Sequence, residues 1–311
     1  MIIIQLILQA FLLAFGFAML MKGADWFVDG SSEIAKKLGI PQLVVGLTIV
    51  AMGTSTPEAA VSITAALKNN AGIAVGNIVG SNILNILIIL GVTSVIVSVS
   101  IKKSTLLIEI PLMIVVTIIF TFMGMAGESI SRIEGIVLWL LFLFYLGYLF
   151  SLAKKGSEED KKPEQPTWKL ILLLILGGIV VIAGSNITVN AATQLAKMAG
   201  LSERFIGLTI VALGTSLPEF VTSVNAARKG NADIAIGNIV GSNIFNILFV
   251  IGTSALIIPV PYEAKFITDG VIAIAAGVLL WLAVFKKMEL QRTWGIIMLV
   301  SYSAYFLYLL I

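Results

Sequence analysis

The sequence predicts an all-α membrane protein with ten transmembrane helices, arranged as two inverted five-helix repeats with broken helices at the membrane midplane. Three observations lead to this prediction. The 311 residues are 59% hydrophobic and 12% charged, whereas soluble domains carry roughly 25% charged residues. Apolar blocks of about 20 residues, the length that crosses a bilayer, recur ten times. Long motifs also occur twice at one constant spacing.

The apolar blocks set the predicted domain organisation. They cover residues 2–21, 41–67, 72–98, 105–124, 133–152, 168–188, 204–227, 233–258, 266–285 and 293–311. The first block lacks a basic segment before it and a small-residue cleavage site after it, so we expect a retained helix and not a signal peptide. The charged segment 154–167, with its two prolines, predicts a cytoplasmic linker. It separates a first transmembrane repeat (1–153) from a second, inverted one (168–311).

Composition also excludes several function classes. The chain has no cysteine and no histidine, which excludes disulfides and thiolate metal sites and leaves zinc or haem chemistry almost no ligands. We therefore expect no cofactor and no enzymatic activity. The net charge of +3 does not indicate a nucleic-acid partner. The expected partner is the lipid bilayer, and no obligate protein partner is evident.

The repeat is long and in one register. GLTIVAMGTSTPE (46–58) returns as GLTIVALGTSLPE (207–219), and GNIVGSNILNIL (76–87) returns as GNIVGSNIFNIL (237–248), each 161 residues later. Each half carries five blocks, and because five is odd the second half must enter the membrane from the opposite side. Inverted repeats of this kind are typical of secondary transporters.

The distribution of basic residues predicts the orientation. If the N-terminus lies outside, fifteen of the twenty Lys and Arg residues fall in inner loops and five in outer loops. The positive-inside rule then favours a multi-pass protein of the cell membrane with both termini outside the cytoplasm.

The first motif places a carboxylate deep in an apolar block. Ser55 and Glu58 fit an S-x-x-E capping box with proline in the first turn, so a helix should start at Ser55, about 14 residues into its block. This break near mid-membrane frees backbone carbonyls, which are tolerated there when they line a cavity or meet a ligand. Glu58 and Glu219 lie near the centres of their blocks, whereas Glu109 and Asp269 are near enough to helix ends to reach the interface. A pure capping role is the alternative interpretation.

The second motif supplies further polar groups. Ser81 and Asn85 are four residues apart and share a helix face, as do Ser242 and Asn246 in the copy. Interhelical hydrogen bonding is the rival role for these pairs. We assign two sets of residues to structure and packing: the glycines Gly76, Gly80, Gly237 and Gly241, and the asparagines Asn77, Asn82, Asn238 and Asn243.

All of these donor atoms are oxygens, which favour hard cations. Two carboxylates balance the charge of one Ca²⁺ or two Na⁺, while Mg²⁺ gives up its water reluctantly and fits less well. An empty site would hold two unpaired carboxylates at low dielectric, so cations or protons should always occupy it. Competition between them would produce exchange.

The paired motifs resemble the two alpha repeats of the cation/calcium exchanger superfamily, particularly prokaryotic sodium/calcium exchangers, over essentially the whole chain. The resemblance implies a secondary active antiporter that exchanges Na⁺ for Ca²⁺ by alternating access. It implies that Ca²⁺ binds the carboxylates of Glu58 and Glu219 and the carbonyls of Thr54 and Thr215. The Na⁺ ligands it implies are the same glutamates with Ser55, Ser81, Ser216, Ser242, the carbonyls of Ala51 and Ala212, and Asn85 and Asn246. It further implies that the helices near 2–36 and 168–197 slide across the core.

One position departs from part of that family, and several alternatives stay open. Some relatives, including the potassium-dependent branch, have aspartate where this chain has Asn246, so we expect transport without K⁺. An H⁺/Ca²⁺ antiporter using the same glutamates is the main alternative, although such relatives usually carry GN-x-x-E in the broken helix. Another hard cation such as Mg²⁺ or Mn²⁺ is also open. An intramembrane hydrolase and a passive channel are less favoured, because no nucleophile and base lie together and two matched halves suit two alternating gates.

Overall fold

The computed structural model describes residues 2–155, 166–200 and 212–310, and these form helices with four two-residue strands. In chain order the elements are α1 (Ile2–Leu38), α2 (Gln42–Thr54), α3 (Thr56–Leu67), α4 (Gly72–Ile96), β1 (Val99–Ser100), α5 (Thr105–Gly127), β2 (Ser129–Ile130), α6 (Arg132–Lys155), α7 (Thr167–Met198), α8 (Ala212–Thr215), α9 (Leu217–Arg228), α10 (Ala232–Ile257), β3 (Val260–Pro261), α11 (Lys265–Phe285), β4 (Glu289–Leu290) and α12 (Arg292–Leu310). Most of the predicted linker and the start of the second GLTIVA motif lie outside the described residues.

The prediction of an all-helical membrane protein is confirmed, whereas the count of ten spans stays a prediction. Seven of the described helices are long and apolar enough to cross a membrane, or eight if α2 and α3 form one span bent by 51°. The expected block 204–227 begins outside the described residues. The last block forms α12, which is not among these candidate spans.

The predicted break in the first repeat is confirmed. α2 ends at Thr54 and α3 begins at Thr56, with Pro57 in its first turn. α8 and α9 meet in the same way around Ser216, with Pro218 in the first turn of α9.

Within the described residues, four stretches of π-helix interrupt the α-helices: Gly46–Val50, Asn85–Leu90, Thr105–Glu109 and Asn246–Ile251. A π turn changes the spacing of the backbone hydrogen bonds and often marks a functional site. Aromatic donors bind carbonyls in two of them: Tyr145 Oη donates to Leu47 O at 3.3 Å, and Trp281 Nε1 donates to Leu106 O at 3.0 Å. The other two stretches begin at Asn85 and Asn246, two of the predicted site residues.

The two halves pair with each other at both ends of the bundle. β1 pairs antiparallel with β4, and β2 pairs antiparallel with β3, so each pair joins one strand from each repeat. The flanking backbone bonds are also reciprocal, since Ile101 N donates to Met288 O at 2.8 Å and Tyr262 N donates to Glu128 O at 2.9 Å. Reciprocal contacts of this kind are the mark of an approximate two-fold axis.

Glycines bring α1 and α7 into backbone contact. Gly16, Gly23 and Gly30 face α7, and a side chain at any of these positions would collide with its backbone. From the other side, a Cβ atom on Gly177 would lie 2.5 Å from Phe27 N and one on Gly184 would lie 2.8 Å from Leu20 N. The two helices therefore form one tightly packed pair.

The core lies around the repeat-equivalent helices α4 and α10. In α10, 94% of the most apolar window is buried within the protein, whereas the corresponding share for α1 is 11%. The packing role assigned to two glycines is confirmed, because a Cβ atom on Gly237 or Gly241 would lie 3.0 Å or less from the backbone of Leu47. For Gly76 and Gly80 the equivalent neighbours fall outside the described residues.

Candidate cation site

The site is built where the two broken helices meet. Glu58 and Glu219 lie in the first turns of α3 and α9 and are 1% and 0% exposed. The positive end of each helix dipole therefore lies beside a buried carboxylate. Ser55 Oγ donates to Glu219 Oε1 at 2.8 Å, and Ser216 Oγ donates to Glu58 Oε1 at 3.1 Å. The serine of each repeat thus binds the glutamate of the other.

These hydrogen bonds between the repeats correct the predicted capping box. The side chains of Ser55 and Ser216 make no capping hydrogen bond to their own helices. A hydrogen bond to a carboxylate is stronger than one between neutral groups, particularly in a buried site. The helices begin where the motif predicts, but the serine hydroxyls complete a site shared between the repeats.

Four buried oxygens of the site have no hydrogen-bond partner among the described residues. They are Glu58 Oε2, Glu219 Oε2, Asn85 Oδ1 and Asn246 Oδ1. Each belongs to a residue that is at most 1% exposed. Buried acceptors left unpaired cost about 1–3 kcal/mol each and more when charged, so this set fits cations that would bind to it.

A ring of amides between α4 and α10 fixes the two asparagines. Asn85 Nδ2 donates to Asn243 Oδ1 at 2.9 Å, and Asn246 Nδ2 donates to Asn82 Oδ1 at 3.1 Å. Asn82 and Asn243 each donate to the other's backbone carbonyl, both at 3.1 Å. Because the amide nitrogens are engaged in the ring, the carbonyl oxygens of Asn85 and Asn246 are left for a ligand. Asn82 and Asn243 therefore do more than pack.

A second layer of polar residues supports the glutamates. Asn77 Nδ2 donates to Glu58 O at 3.2 Å and to Ser62 Oγ at 2.9 Å. The second repeat has the same two bonds, from Asn238 to Glu219 O at 3.4 Å and to Ser223 Oγ at 2.8 Å. Sequence reasoning missed Ser62 and Ser223. Their recurrence at the same position of both repeats was the available signal.

The remaining predicted ligands lie close to this centre. Thr54 Oγ1 donates to Asn238 Oδ1 at 2.9 Å, which ties the end of α2 to α10. The Ala51 carbonyl accepts from Ser242 Oγ at 3.4 Å and from Ser55 N at 3.0 Å. In addition, Ser81 is buried, Thr215 ends α8 and Ala212 begins it.

A cavity of about 350 Å³ lies next to the breaks of the two helices, beside the residues that precede and follow Ser55 and Ser216. It lies between the first turn of α3, α7 and the end of α8, and its polar lining residues are Thr56, Ser185, Asn186, Asn190 and Thr215. The equivalent position in the other repeat is closed. There Leu20, Ala24 and Val181 form a buried apolar cluster against Leu217 and Val221 of α9.

The expectation for Glu109 is wrong, because this residue is fully buried and does not reach the interface. Tyr148 Oη donates to its Oε1. In the second repeat Tyr305 Oη donates to Asp269 Oδ1 at 3.0 Å. A tyrosine from the following helix supplies the partner that water at the interface was expected to supply.

Comparison with known proteins matches this architecture. The family model described as "Sodium/calcium exchanger protein" matches twice, over residues 8–151 and 169–311. The chain belongs to the sodium/calcium exchanger family. It is thereby a multi-pass membrane transporter of the antiporter class, and each repeat matches the family model once.

Three individual proteins illustrate the similarity. The chain is 38% identical to the "Putative antiporter CaxA" of Alkalimonas amylolytica, over 93% of this chain and 95% of that one. It is 32% identical to the "Sodium/calcium exchanger MaX1" of Methanosarcina acetivorans, over 94% and 96%. Among solved structures, the sodium-calcium exchanger NCX_Mj superposes with a TM-score of 0.84 at 33% identity, covering 96% of this chain and 98% of that one.

Proposed function

We propose that this exchanger couples Na⁺ movement in one direction to Ca²⁺ movement in the other by alternating access. The observation that carries the proposal is the set of four buried, unpartnered oxygens, two carboxylate and two amide, contributed equally by the two repeats. The MaX1 relative and the NCX_Mj protein are both described as sodium/calcium exchangers.

The donor set suits these two ions. Ca²⁺ takes 6–8 oxygen ligands with flexible geometry. No cluster of three or more Asp, Glu, His or Cys was found in the described part of the chain, so hydroxyl, amide and backbone oxygens would complete the coordination around Glu58 and Glu219. The ligands proposed for Ca²⁺ are the two carboxylates with the carbonyls of Thr54 and Thr215. The proposed Na⁺ ligands add Ser55, Ser81, Ser216, Ser242, Asn85, Asn246 and the carbonyls of Ala51 and Ala212.

Charge balance then gives the exchange step. With both carboxylates ionised, one Ca²⁺ or two Na⁺ neutralise the site, and loss of all ions would leave two buried charges. A change of access with the site empty is therefore costly, while a change with either ion bound is not. Transport of one ion becomes coupled to return of the other.

The proposal includes the orientation of the chain. The excess of Lys and Arg places residues 154–167 and the loop after α9 on the cytoplasmic side, with both termini outside the cell membrane. The described cavity would then open to the outside and the apolar cluster would close the cytoplasmic side.

The test is ⁴⁵Ca²⁺ uptake into proteoliposomes loaded with Na⁺ and diluted into Na⁺-free buffer. Parallel vesicles are loaded with K⁺ and carry an imposed pH gradient. Glu58→Gln and Glu219→Gln are expected to abolish uptake, and Glu109→Gln is the matched control, because it makes the same change in a buried glutamate outside the site. Size-exclusion profiles show that each variant is folded.

The result separates the candidates. Uptake that needs a Na⁺ gradient, is lost in both site variants and persists in Glu109→Gln supports the proposal. Uptake driven by the pH gradient alone would make the protein an H⁺/Ca²⁺ antiporter with the same site. If neither gradient drives Ca²⁺ uptake, the proposal fails, and Mn²⁺ and Mg²⁺ are tested as the transported divalent ion.

A further inference from the structure

The closed end of the bundle carries a polar cluster that the proposed ion site does not use. Lys229, just beyond α9, contacts two aspartates of α1: its Nζ lies 3.0 Å from Asp25 Oδ1 and 2.7 Å from Asp29 Oδ1. Asn225 Nδ2 also donates to Asp25 Oδ1 at 3.1 Å. We call these four residues the α1–α9 clasp. It joins the α1–α7 pair to α9 beside the apolar cluster that closes this end.

The clasp pairs one basic side chain with two acidic ones and an amide, and its ion-pair members are partly exposed. Burial lowers the pKa of the Lys229 ammonium, but its bonds to Asp29 and Asp25 raise that pKa by more, so it lies above the ordinary value. The exposed side-chain fractions are 28% for Lys229, 39% for Asp25 and 53% for Asp29. Exposed ion pairs are individually weak, commonly 1 kcal/mol or less, while networks contribute more.

The repeat lacks this clasp at its other end. With the 161-residue offset, Asp25 and Asp29 of α1 correspond to Asn186 and Asn190 of α7, and Lys229 corresponds to Lys68. Asparagines cannot form the ion pair. Both asparagines line the open cavity of about 350 Å³. The apolar cluster also differs between the two ends, because Leu217 and Val221 of the closed end correspond to Thr56 and Ala60 at the open end. Among the residues that the structure describes, the closed end therefore has both features and the open end has neither.

A rigid helix pair connects the two ends. α1 and α7 are in backbone contact through Gly23, Gly177 and Gly184, so a displacement of one carries the other. α1 makes the clasp with α9, while α7 forms one wall of the cavity beside α3. Movement that releases α1 from α9 would thus move α7 relative to α3, which couples opening at one end to closing at the other.

We propose that the α1–α9 clasp is a positioning element that favours the access state closed at the Lys229 end, and that its absence at the Lys68 end makes the two access states unequal in free energy. This inference rests on the proposed alternating-access function. Opening at the Lys229 end breaks two ion pairs and a hydrogen bond, whereas the described residues form no equivalent bonds at the Lys68 end. Loss of the clasp should raise the population open at the Lys229 end about three- to tenfold, as expected for a small exposed ion-pair network.

The test uses cysteine accessibility, since the chain has no cysteine of its own. Val221→Cys places a reporter in the apolar cluster, and its labelling rate by a membrane-impermeant maleimide measures opening at the Lys229 end. The protein is held in lipid nanodiscs, which expose both faces, in Na⁺ buffer without Ca²⁺, so that the proposed site is occupied and a change of access is not opposed by two unpaired carboxylates. Lys229→Gln should raise the labelling rate three- to tenfold, and Lys68→Gln, the same change at the equivalent position, should leave it unchanged.

Further variants make the result decisive. The double variant Asp25→Asn with Asp29→Asn gives α1 the residues that α7 has at the equivalent positions. Its labelling rate should match that of Lys229→Gln. It also replaces Lys229→Gln in the test if that protein does not fold. Exchanging charges, with Asp29→Lys and Lys229→Asp together, should return the rate toward that of the parent. An unchanged rate in the clasp variants, or an equal rise in Lys68→Gln, would overturn the proposal. Because labelling measures access and not transport, absence of Na⁺/Ca²⁺ exchange would refute the proposed function and leave this result standing.

Discussion

Replacing Asn243 with alanine should weaken cation binding although Asn243 is not a proposed ligand. Asn243 Oδ1 accepts the Asn85 amide at 2.9 Å, and its Nδ2 donates to Asn82 O at 3.1 Å. Alanine removes both bonds but keeps the backbone carbonyl that accepts from Asn82. The Asn85 amide would then be free to rotate, so its carbonyl oxygen would no longer be held toward the ion.

The structure sets the size of both effects. Two lost neutral hydrogen bonds, at about 1 kcal/mol each, and one buried donor left unpaired, at about 1–3 kcal/mol, give a loss of roughly 3–5 kcal/mol in the free energy of unfolding. Loss of a residue that orients a ligand commonly lowers metal affinity about 10- to 100-fold. Equilibrium binding of ⁴⁵Ca²⁺ in detergent measures the affinity, and thermal unfolding of the ion-free protein measures the stability.

The control separates orientation from simple destabilisation. Trp139→Phe removes another hydrogen bond between the repeats, from Trp139 Nε1 to Thr253 Oγ1 at 3.1 Å, away from the site. It should lower stability and leave Ca²⁺ affinity unchanged. If Asn243→Ala is destabilised as expected but binds Ca²⁺ like the parent, the amide ring does not orient Asn85 and this reasoning is refuted.

Three further predictions concern packing, burial and ion dependence. Gly177→Ala should lower the free energy of unfolding by about 1–3 kcal/mol, because the new Cβ would lie 2.5 Å from Phe27 N; Gly178→Ala, whose Cβ would lie 3.5 Å from the Phe27 ring, should be nearly neutral in the same unfolding assay. Glu109→Gln should be at least as stable to heat as the parent, because glutamine keeps an acceptor for Tyr148 and removes an ionisable group from a fully buried position; a large loss of stability would show that the carboxylate itself is needed. Ca²⁺ uptake driven by Na⁺ should be the same in choline as in K⁺ buffer, and a clear K⁺ requirement in vesicles of defined composition would contradict the interpretation of Asn246.

Much of the architecture could be predicted, because membrane-spanning helices are visible in the composition of the sequence and in the spacing of its apolar blocks. Apolar blocks of bilayer length located the long helices, and the proline and glutamate of TSTPE located the start of α3 within one residue. The constant 161-residue offset identified equivalent positions, and it paired Glu58 with Glu219 and Asn85 with Asn246, whose hydrogen bonds repeat in the two halves.

The features that could not be predicted include the contacts that a side chain makes with the other repeat. A capping box is a local pattern, and nothing in TSTPE shows that Ser55 binds Glu219 and not its own helix. The π-helical stretches at Asn85 and Asn246 also have no simple sequence signal. Glu109 was misjudged because distance from a helix end says nothing about a neighbouring tyrosine. The misses for Ser55 and Glu109 both concern contacts between residues far apart in the chain.

The crossed strand pairs have a consequence for biosynthesis. Val99 pairs with Leu290 and Ile130 pairs with Val260, so the first half has no strand of its own to pair with at either end. These backbone bonds cannot form while the ribosome is still making the second half. The hydrogen bond from Ser216 to Glu58 likewise cannot form before the second half is made. The first five-helix half must therefore persist in the membrane as an incomplete intermediate, and only synthesis through Leu290 allows the two halves to close on each other.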